Sequence, residues 1–161
     1  MRGAVAIDRL AGPSEVLIVA SAGAEPELVA ADLLAQAEHD PHALALLVTD
    51  DKKLARAVAG ALERQIGELA TAATARAAIA ARGAAFVVGS LDEAAAIAEA
   101  VAPEHLQLVG AAEEALADRV TNAGAVFVGA SPPWACPTSS AAATSSASTA
   151  APRRAGPRPP R

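Results

Sequence analysis

The ten residues from Leu33 to His42 hold the first candidate for chemistry in this sequence. They read LLAQAEHDPH and bring Gln36 and His39 three positions apart near the end of a predicted helix. Residues three or four apart share one face of a helix, so Gln36, His39 and the preceding Asp32 belong together. An imidazole nitrogen and an amide oxygen can bind one small cation, and zinc suits this pair. The alternative is a solvated polar face, or a histidine that the helix dipole favours.

The dipeptide Glu104-His105 is the second candidate. Pro103 ends the preceding helix, so the dipeptide falls at a helix-to-strand junction, where both side chains can face a cleft. A carboxylate beside a histidine can activate a water molecule while the histidine shuttles protons. The alternative is a surface dipeptide without a function.

Motifs that bind nucleotides or accept a phosphoryl group are missing or incomplete in this sequence. The sequence contains neither a Gly-x-Gly-x-x-Gly nor a Gly-x-x-x-x-Gly-Lys-Ser/Thr motif, so a nucleotide site within this chain has no sequence support. Asp50 and Asp51 follow a predicted strand, as in a phospho-acceptor receiver module. That module also needs a lysine at the end of its last strand, where this chain has Val128, Gly129 and Ala130.

The elements that must position these residues alternate between strands and helices. Short apolar runs predict strands at 15–20, 44–49, 85–88, 106–109 and 125–128, and the first two of them suit strands that are buried. Proline, glycine and capping residues predict helices at 26–38, 50–69, 71–82, 90–102 and 112–120. Ser90 and Glu93 form a capping box at the start of the fourth helix.

This alternation predicts an α/β fold. Five strands joined by helical crossovers imply a doubly wound, mainly parallel sheet with helices on both faces, which is a Rossmann-like architecture. The length allows one domain, which we place at residues 1–130. Ligands of such sheets collect at the carboxyl ends of the strands.

Charge and cysteine content restrict the partners and the compartment. Residues 1–130 carry all 18 acidic and 9 of the 13 basic residues, a net charge of −9, so we expect no nucleic-acid binding. Cys136 is the only cysteine, which excludes an internal disulfide and fits a reducing cytoplasm. No apolar run has membrane-spanning length and 1–11 lack a secretory block, so we predict a cytoplasmic protein without a membrane partner.

Residues 131–161 differ from the rest of the chain. They contain no Asp, Glu, Lys, Val, Leu, Ile, Phe or Met, and consist almost entirely of Ala, Ser, Pro, Thr and Arg. We predict a disordered tail, because such a segment cannot bury enough apolar surface to offset its ordering entropy. GC-rich DNA read out of frame gives the same composition. We therefore hypothesise a frameshift near Ala130, with a natural flexible tail as the alternative; translation of the other two reading frames decides between them.

Four segments of the sequence resemble one family in order and spacing. AGPSEVL at 11–17, LLAQAEHD at 33–40, APEHL at 102–106 and NAGAVFVG at 122–129 resemble histidinol dehydrogenase, over about residues 3–129. The resemblance implies an NAD-dependent, zinc-requiring enzyme that oxidises L-histidinol through an aldehyde to L-histidine, the last step of histidine biosynthesis. It also implies a homodimer for the full-length protein.

The resemblance carries residue roles onto the matching motifs. Gln36 and His39 correspond to two zinc ligands that also contact the substrate, and Ser14 corresponds to a substrate contact. Glu104 resembles the residue that activates water for hydration of the aldehyde. His105 resembles the base that takes the alcohol proton, and it also contacts the substrate.

The chain also departs from the family pattern. The family's preceding half, which supplies most NAD contacts, has no counterpart, so we assign no NAD-binding residue. The Gly-Asp-Tyr and Asn-His-Val-Leu-Pro segments are missing, as are the Asp that completes the zinc site and the C-terminal His from the other subunit. We therefore expect an incomplete enzyme that is inactive on its own. The alternative is a non-catalytic remnant, or an assembly partner of a separately encoded half.

Overall fold

A computed structural model describes residues 14–129 and 153–154 of the chain. The strands are β1 (Glu15–Ala20), β2 (Leu44–Thr49), β3 (Ala84–Val87), β4 (His105–Val109), β5 (Ala125–Val128) and β6 (Arg153–Arg154). The helices are α1 (Pro26–Ala37), α2 (Lys52–Ile66), α3 (Ala72–Arg82), α4 (Leu91–Val101) and α5 (Ala112–Leu116).

The strands form one sheet in the order β3-β2-β1-β4-β5-β6. The first five strands in this order are parallel, and the two-residue β6 runs antiparallel to β5. β1 lies at the centre because its run from Val16 to Ala20 is fully buried between helices on both faces. The predicted doubly wound α/β sheet of five parallel strands is therefore confirmed.

Capping residues fix the helix starts. Asp51 is the N-cap of α2 and its Oδ1 accepts a hydrogen bond from the Lys53 N–H at 2.7 Å. Ser90 caps α4 by accepting from the Glu93 N–H at 3.3 Å. The Glu93 carboxylate accepts in turn from the Gly89 N–H at 2.8 Å, one residue earlier than in a standard capping box.

The side chains of the strands alternate between two apolar layers. Leu17, Val19, Leu106 and Leu108 pack with α4 and α5 on one face. Val16, Ile18 and Val109 pack with α1 and α2 on the other. Alternation along β4 therefore directs His105, Gln107 and Val109 toward α1.

Two element boundaries differ from the sequence prediction in ways that affect the site. Helix α1 ends at Ala37, so His39 lies beyond its last turn. Strand β4 begins at His105, which is therefore paired in the sheet and not in irregular backbone. Strand β3 is exposed along all four residues, because it is the end strand of the described sheet and helices cover it only partly.

The two chain ends carry predictions that the structure does not test. Residues 1–13 and most of the predicted tail lie outside the described residues, so the disorder and frameshift hypotheses stay predictions there. Within the described part, none of the helices has the length and apolar character needed to span a membrane.

Candidate functional site

All five predicted site residues lie at the amino-terminal edge of the parallel sheet. Ser14 directly precedes β1, Glu104 directly precedes β4, and His105 is the first residue of β4, paired with Val16. Helix α1 connects two parallel strands and therefore runs back against them. Its C-terminal end, with Gln36 and His39 beside it, returns to the same edge.

These residues do not lie at the carboxyl ends of the strands, where ligands of doubly wound sheets generally collect. At that edge, the loops after β1 and β4 are hydrogen-bonded to each other, with Ala111 N–H donating to the Ala22 carbonyl at 3.0 Å. Gly110 has a φ of +71°, and a Cβ there would lie 2.6 Å from the Ala22 carbonyl oxygen. The backbone of two loops thus fills the crevice between β1 and β4, where doubly wound sheets commonly bind ligands.

Helix α1 presents Gln36 as a buried polar side chain. Gln36 is only 6% exposed, and its Nε2 has no hydrogen-bond partner among the described residues. A buried amide without a partner costs free energy, so this group is suited to a ligand or to a partner from outside the described part. His39 is exposed, two residues beyond the end of α1.

The loop that carries His39 is tied to helix α3. Thr71 Oγ1 donates to the Glu38 carboxylate at 2.9 Å, and Arg82 Nη1 donates to the His42 carbonyl at 2.9 Å. Asp40 Oδ1 accepts from the His42 N–H at 2.7 Å and closes the turn. These contacts restrain the backbone on both sides of His39.

The turn before β4 delivers Glu104 and His105. Ala102 ends α4 with a φ of +48°, a left-handed conformation that non-glycine residues rarely adopt. The Ala125 N–H then donates to the Glu104 carbonyl at 2.9 Å and joins this turn to β5. The His105 ring contacts Phe127 with a centroid separation of 5.9 Å and an interplanar angle of 47°. Glu104 is exposed to solvent and His105 is partly buried.

A hydrogen bond between two buried polar residues, Asp32 on α1 and Gln107 in the middle of β4, was missed at the sequence level, where only Asp32 was noted. Gln107 Nε2 donates to Asp32 Oδ2 at 2.7 Å and to the Gly129 carbonyl at 3.2 Å. Burial raises the pKa of the Asp32 carboxyl from 3.8 to about 6, while the hydrogen bond from Gln107 opposes that rise. The sequence held a signal, because Gln107 interrupts the apolar strand HLQLV and Asp32 shares the helix face of Gln36.

Two side chains at the end of α1 belong to donor types that zinc accepts, Gln36 through its amide oxygen and His39 through its imidazole. The Gln36 atom without a partner among the described residues is Nε2, an N–H donor that suits a hydrogen-bond acceptor and not a cation. Within residues 14–129, no group of three or more His, Cys, Asp or Glu side chains could hold a metal ion. Two donors do not complete the four-ligand shell that zinc usually has.

The doubly wound sheet, with imidazole, amide and carboxylate groups at one of its edges, defines the class of the protein as a Rossmann-like α/β domain. Comparison with known proteins specifies the family. The sequence model of the histidinol dehydrogenase family matches residues 1–147.

Individual relatives agree with this match. Histidinol dehydrogenase of Cereibacter sphaeroides is 49% identical over 127 residues, which cover 79% of this chain and 29% of the relative. That of Halobacterium salinarum is 50% identical over 135 residues, 83% of this chain and 32% of the relative. The crystal structure of histidinol dehydrogenase from Elizabethkingia anophelis superposes with a TM-score of 0.71 at 39% identity, over 74% of this chain and 27% of that one.

The chain belongs to the histidinol dehydrogenase family. It spans about 30% of the length of the curated relatives that it matches.

Proposed function

We propose that this chain is a domain of a histidinol dehydrogenase and carries one part of the site that oxidises L-histidinol to L-histidine with NAD. On its own it is an incomplete enzyme. The observation that carries the proposal is the convergence of Ser14, Gln36, His39, Glu104 and His105 at one edge of the sheet in a chain of this family.

Two residues carry proton chemistry in this proposal. His105 accepts the hydroxyl proton of the substrate when the alcohol becomes an aldehyde. Glu104 accepts a proton from the water that adds to the aldehyde carbon, because its carboxylate is exposed beside the start of β4. Oxidation of the resulting hydrate yields the acid, so the complete reaction removes two pairs of electrons.

The remaining residues bind and orient the substrate. Ser14, directly before β1, supplies a hydroxyl contact to the substrate. Gln36 and His39 would bind zinc and would also contact the substrate. When bound, zinc would supply a Lewis acid for the substrate, and NAD would supply the hydride acceptor. Further zinc donors and the NAD contacts come from the remainder of the enzyme. We expect the full-length enzyme to be a homodimer and to lie in the cytoplasm.

A chimeric enzyme tests this proposal. The matched 127-residue segment of the Cereibacter sphaeroides relative is replaced by the corresponding part of this chain, and NADH formation from L-histidinol is measured. We expect activity in the chimera and a loss of about 100-fold or more with Glu104→Gln, in line with the usual contribution of general acid-base groups. Glu114→Gln, an exposed acid on α5, is the matched control and keeps full activity.

A chimera that folds and dimerises but forms no NADH contradicts the proposal. Equal losses in Glu104→Gln and Glu114→Gln contradict the role of Glu104.

A second candidate function is that of a non-catalytic assembly partner for a separately encoded half. It is favoured by strand β3, where Phe86 is 42% and Val87 is 50% exposed. The outer backbone edge of β3 is unpaired within the described residues. A neighbouring open reading frame that encodes the missing half, and a product that copurifies with this chain, support this candidate.

A further inference from the structure

Asp32 and Gln107 are polar residues in an apolar layer of the protein. Asp32 is 4% exposed on α1, and Gln107 is fully buried in β4. Their neighbours in this layer are Ile18, Val29 and Leu33. A buried carboxylate and amide are costly to desolvate, and apolar side chains of similar size often serve stability as well or better.

Their hydrogen bond is directional, unlike apolar packing. Gln107 Nε2 reaches Asp32 Oδ2 on the helix and the Gly129 carbonyl after β5, at 2.7 and 3.2 Å. One amide group thus connects α1, β4 and the end of β5. An apolar contact at this point would let the helix slide along the sheet, whereas this bond specifies one register.

The register determines which residues of α1 and β4 lie side by side at the amino edge, because α1 runs antiparallel to β4. From Asp32 to Gln36 the helix advances about 6 Å toward the amino edge. From Gln107 back to His105 the strand covers about 6.6 Å in the same direction and on the same face. The bond between Asp32 and Gln107 therefore brings Gln36 level with His105.

We propose that Asp32 and Gln107 are positioning residues: their hydrogen bond fixes α1 on β4 and holds the Gln36 amide beside the His105 imidazole. The pair acts through Gln36 and His105 and touches no reacting atom. This inference rests on the proposed function for its biological meaning, but its geometry is testable in the metal-free chain.

The test uses NMR on the isotopically labelled chain without zinc. We expect nuclear Overhauser cross-peaks between the Gln36 side-chain amide protons and the His105 ring protons. Gln107→Met keeps the side-chain length but removes the hydrogen bond, and it abolishes these cross-peaks. Asp32→Asn keeps an acceptor for Gln107 Nε2, and its own amide can donate to Gln107 Oε1, which lacks a partner among the described residues. This variant therefore retains the cross-peaks.

Leu34→Ala is the control for a general loss of stability, because Leu34 is buried on α1 against α3, away from the pair. It leaves the cross-peaks in place. If Gln107→Met does not fold, Asp32→Ala removes the same bond from the helix side and is read in the same way.

Three results overturn the inference: no cross-peaks in the unmodified chain, persistence of the cross-peaks in Gln107→Met, or equal loss in Leu34→Ala. The NMR experiment is independent of the activity assay on the chimera. Failure of the inference and failure of the proposed function are therefore distinguishable.

Discussion

Among single residues, buried Asp32 has the clearest effect on the free energy of unfolding. Its pKa lies near 6 in the folded protein because burial disfavours the charged form, compared with 3.8 for a free side chain. The folded state therefore binds this proton more tightly than the unfolded state. The contribution of Asp32 to stability falls as the pH rises from about 4 to about 6, and it stays low at neutral pH.

Asp32→Asn should therefore stabilise the protein at pH 7.5. We expect a gain of roughly 1 to 2 kcal/mol in the free energy of unfolding, since a buried charge is removed while a neutral hydrogen bond remains. Urea unfolding between pH 4 and 8 measures this change. Asp50→Asn, at an exposed carboxylate, serves as the control and leaves the stability profile unaltered. A loss of stability in Asp32→Asn at pH 7.5 would show that the ionised form is favoured.

His39 is the zinc donor that the sequence proposes beside Gln36. We expect weak zinc binding to the isolated chain, because only two donors are at hand and affinity falls without a full coordination shell. Calorimetric titration should give heat that disappears in His39→Ala and persists in His42→Ala. Equal binding in His39→Ala would assign the metal to His42 or His105.

At the scale of single residues, the sequence identifies candidate site residues better than it predicts their burial and their contacts. Gln36 and His105 follow from their motifs, but the burial of Gln36 and the ring contact between His105 and Phe127 depend on packing between distant elements. Gln107 escaped notice because its partner Asp32 lies 75 positions away.

At the scale of elements, local signals account for most of the boundaries. Strands β1, β2 and β5 have the predicted bounds because each is an apolar run with turn residues on both sides. Helix α5 ends at Leu116 and not near Val120, because the chain continues in tighter turns, in which the Arg119 N–H donates to the Leu116 carbonyl at 3.0 Å. The exposure of β3 could not be predicted, since it depends on the position of that strand in the sheet.

Gly124 joins two elements at the site. A Cβ on this residue would lie 2.6 Å from the Glu104 carbonyl oxygen, a backbone atom that cannot easily move. Gly124→Ala should therefore push β5 away from the turn before β4 and destabilise the protein by roughly 1 to 3 kcal/mol, the usual cost of overpacking. Urea unfolding measures this loss.

Gly60→Ala is the matched control, because its Cβ would meet only the end of the flexible Arg64 side chain, at 3.5 Å. It should be neutral or stabilising, since alanine favours helix α2. A neutral effect of Gly124→Ala would mean that the turn before β4 yields without cost.

At the scale of the whole molecule, the candidate residues lie at the amino edge of the sheet, which their places before predicted strands and at the end of a predicted helix already imply. The general rule for doubly wound sheets points to the carboxyl edge, but here the loops after β1 and β4 close on each other through Gly110. The candidate residues gather at the opposite edge because α1 ends there and β1 and β4 begin there.

The isolated chain should not oxidise L-histidinol with NAD. Catalysis needs cofactor, metal and base held together, and this chain spans about 30% of the length of its relatives. A spectrophotometric assay of purified protein, with the Cereibacter sphaeroides enzyme as the positive control, should detect no NADH. NADH formation that is lost in Glu104→Gln would demonstrate a complete site in this chain.

We propose that the amino edge of this sheet is one part of a histidinol dehydrogenase site. Chemical-shift mapping of the labelled chain, titrated with L-histidinol and zinc at millimolar concentrations, tests it most directly. We predict shifts concentrated at Ser14, Gln36, His39 and His105. Shifts concentrated instead in the carboxyl-edge loops at Ser21 and Gly110, or no shifts at all, would contradict the claim.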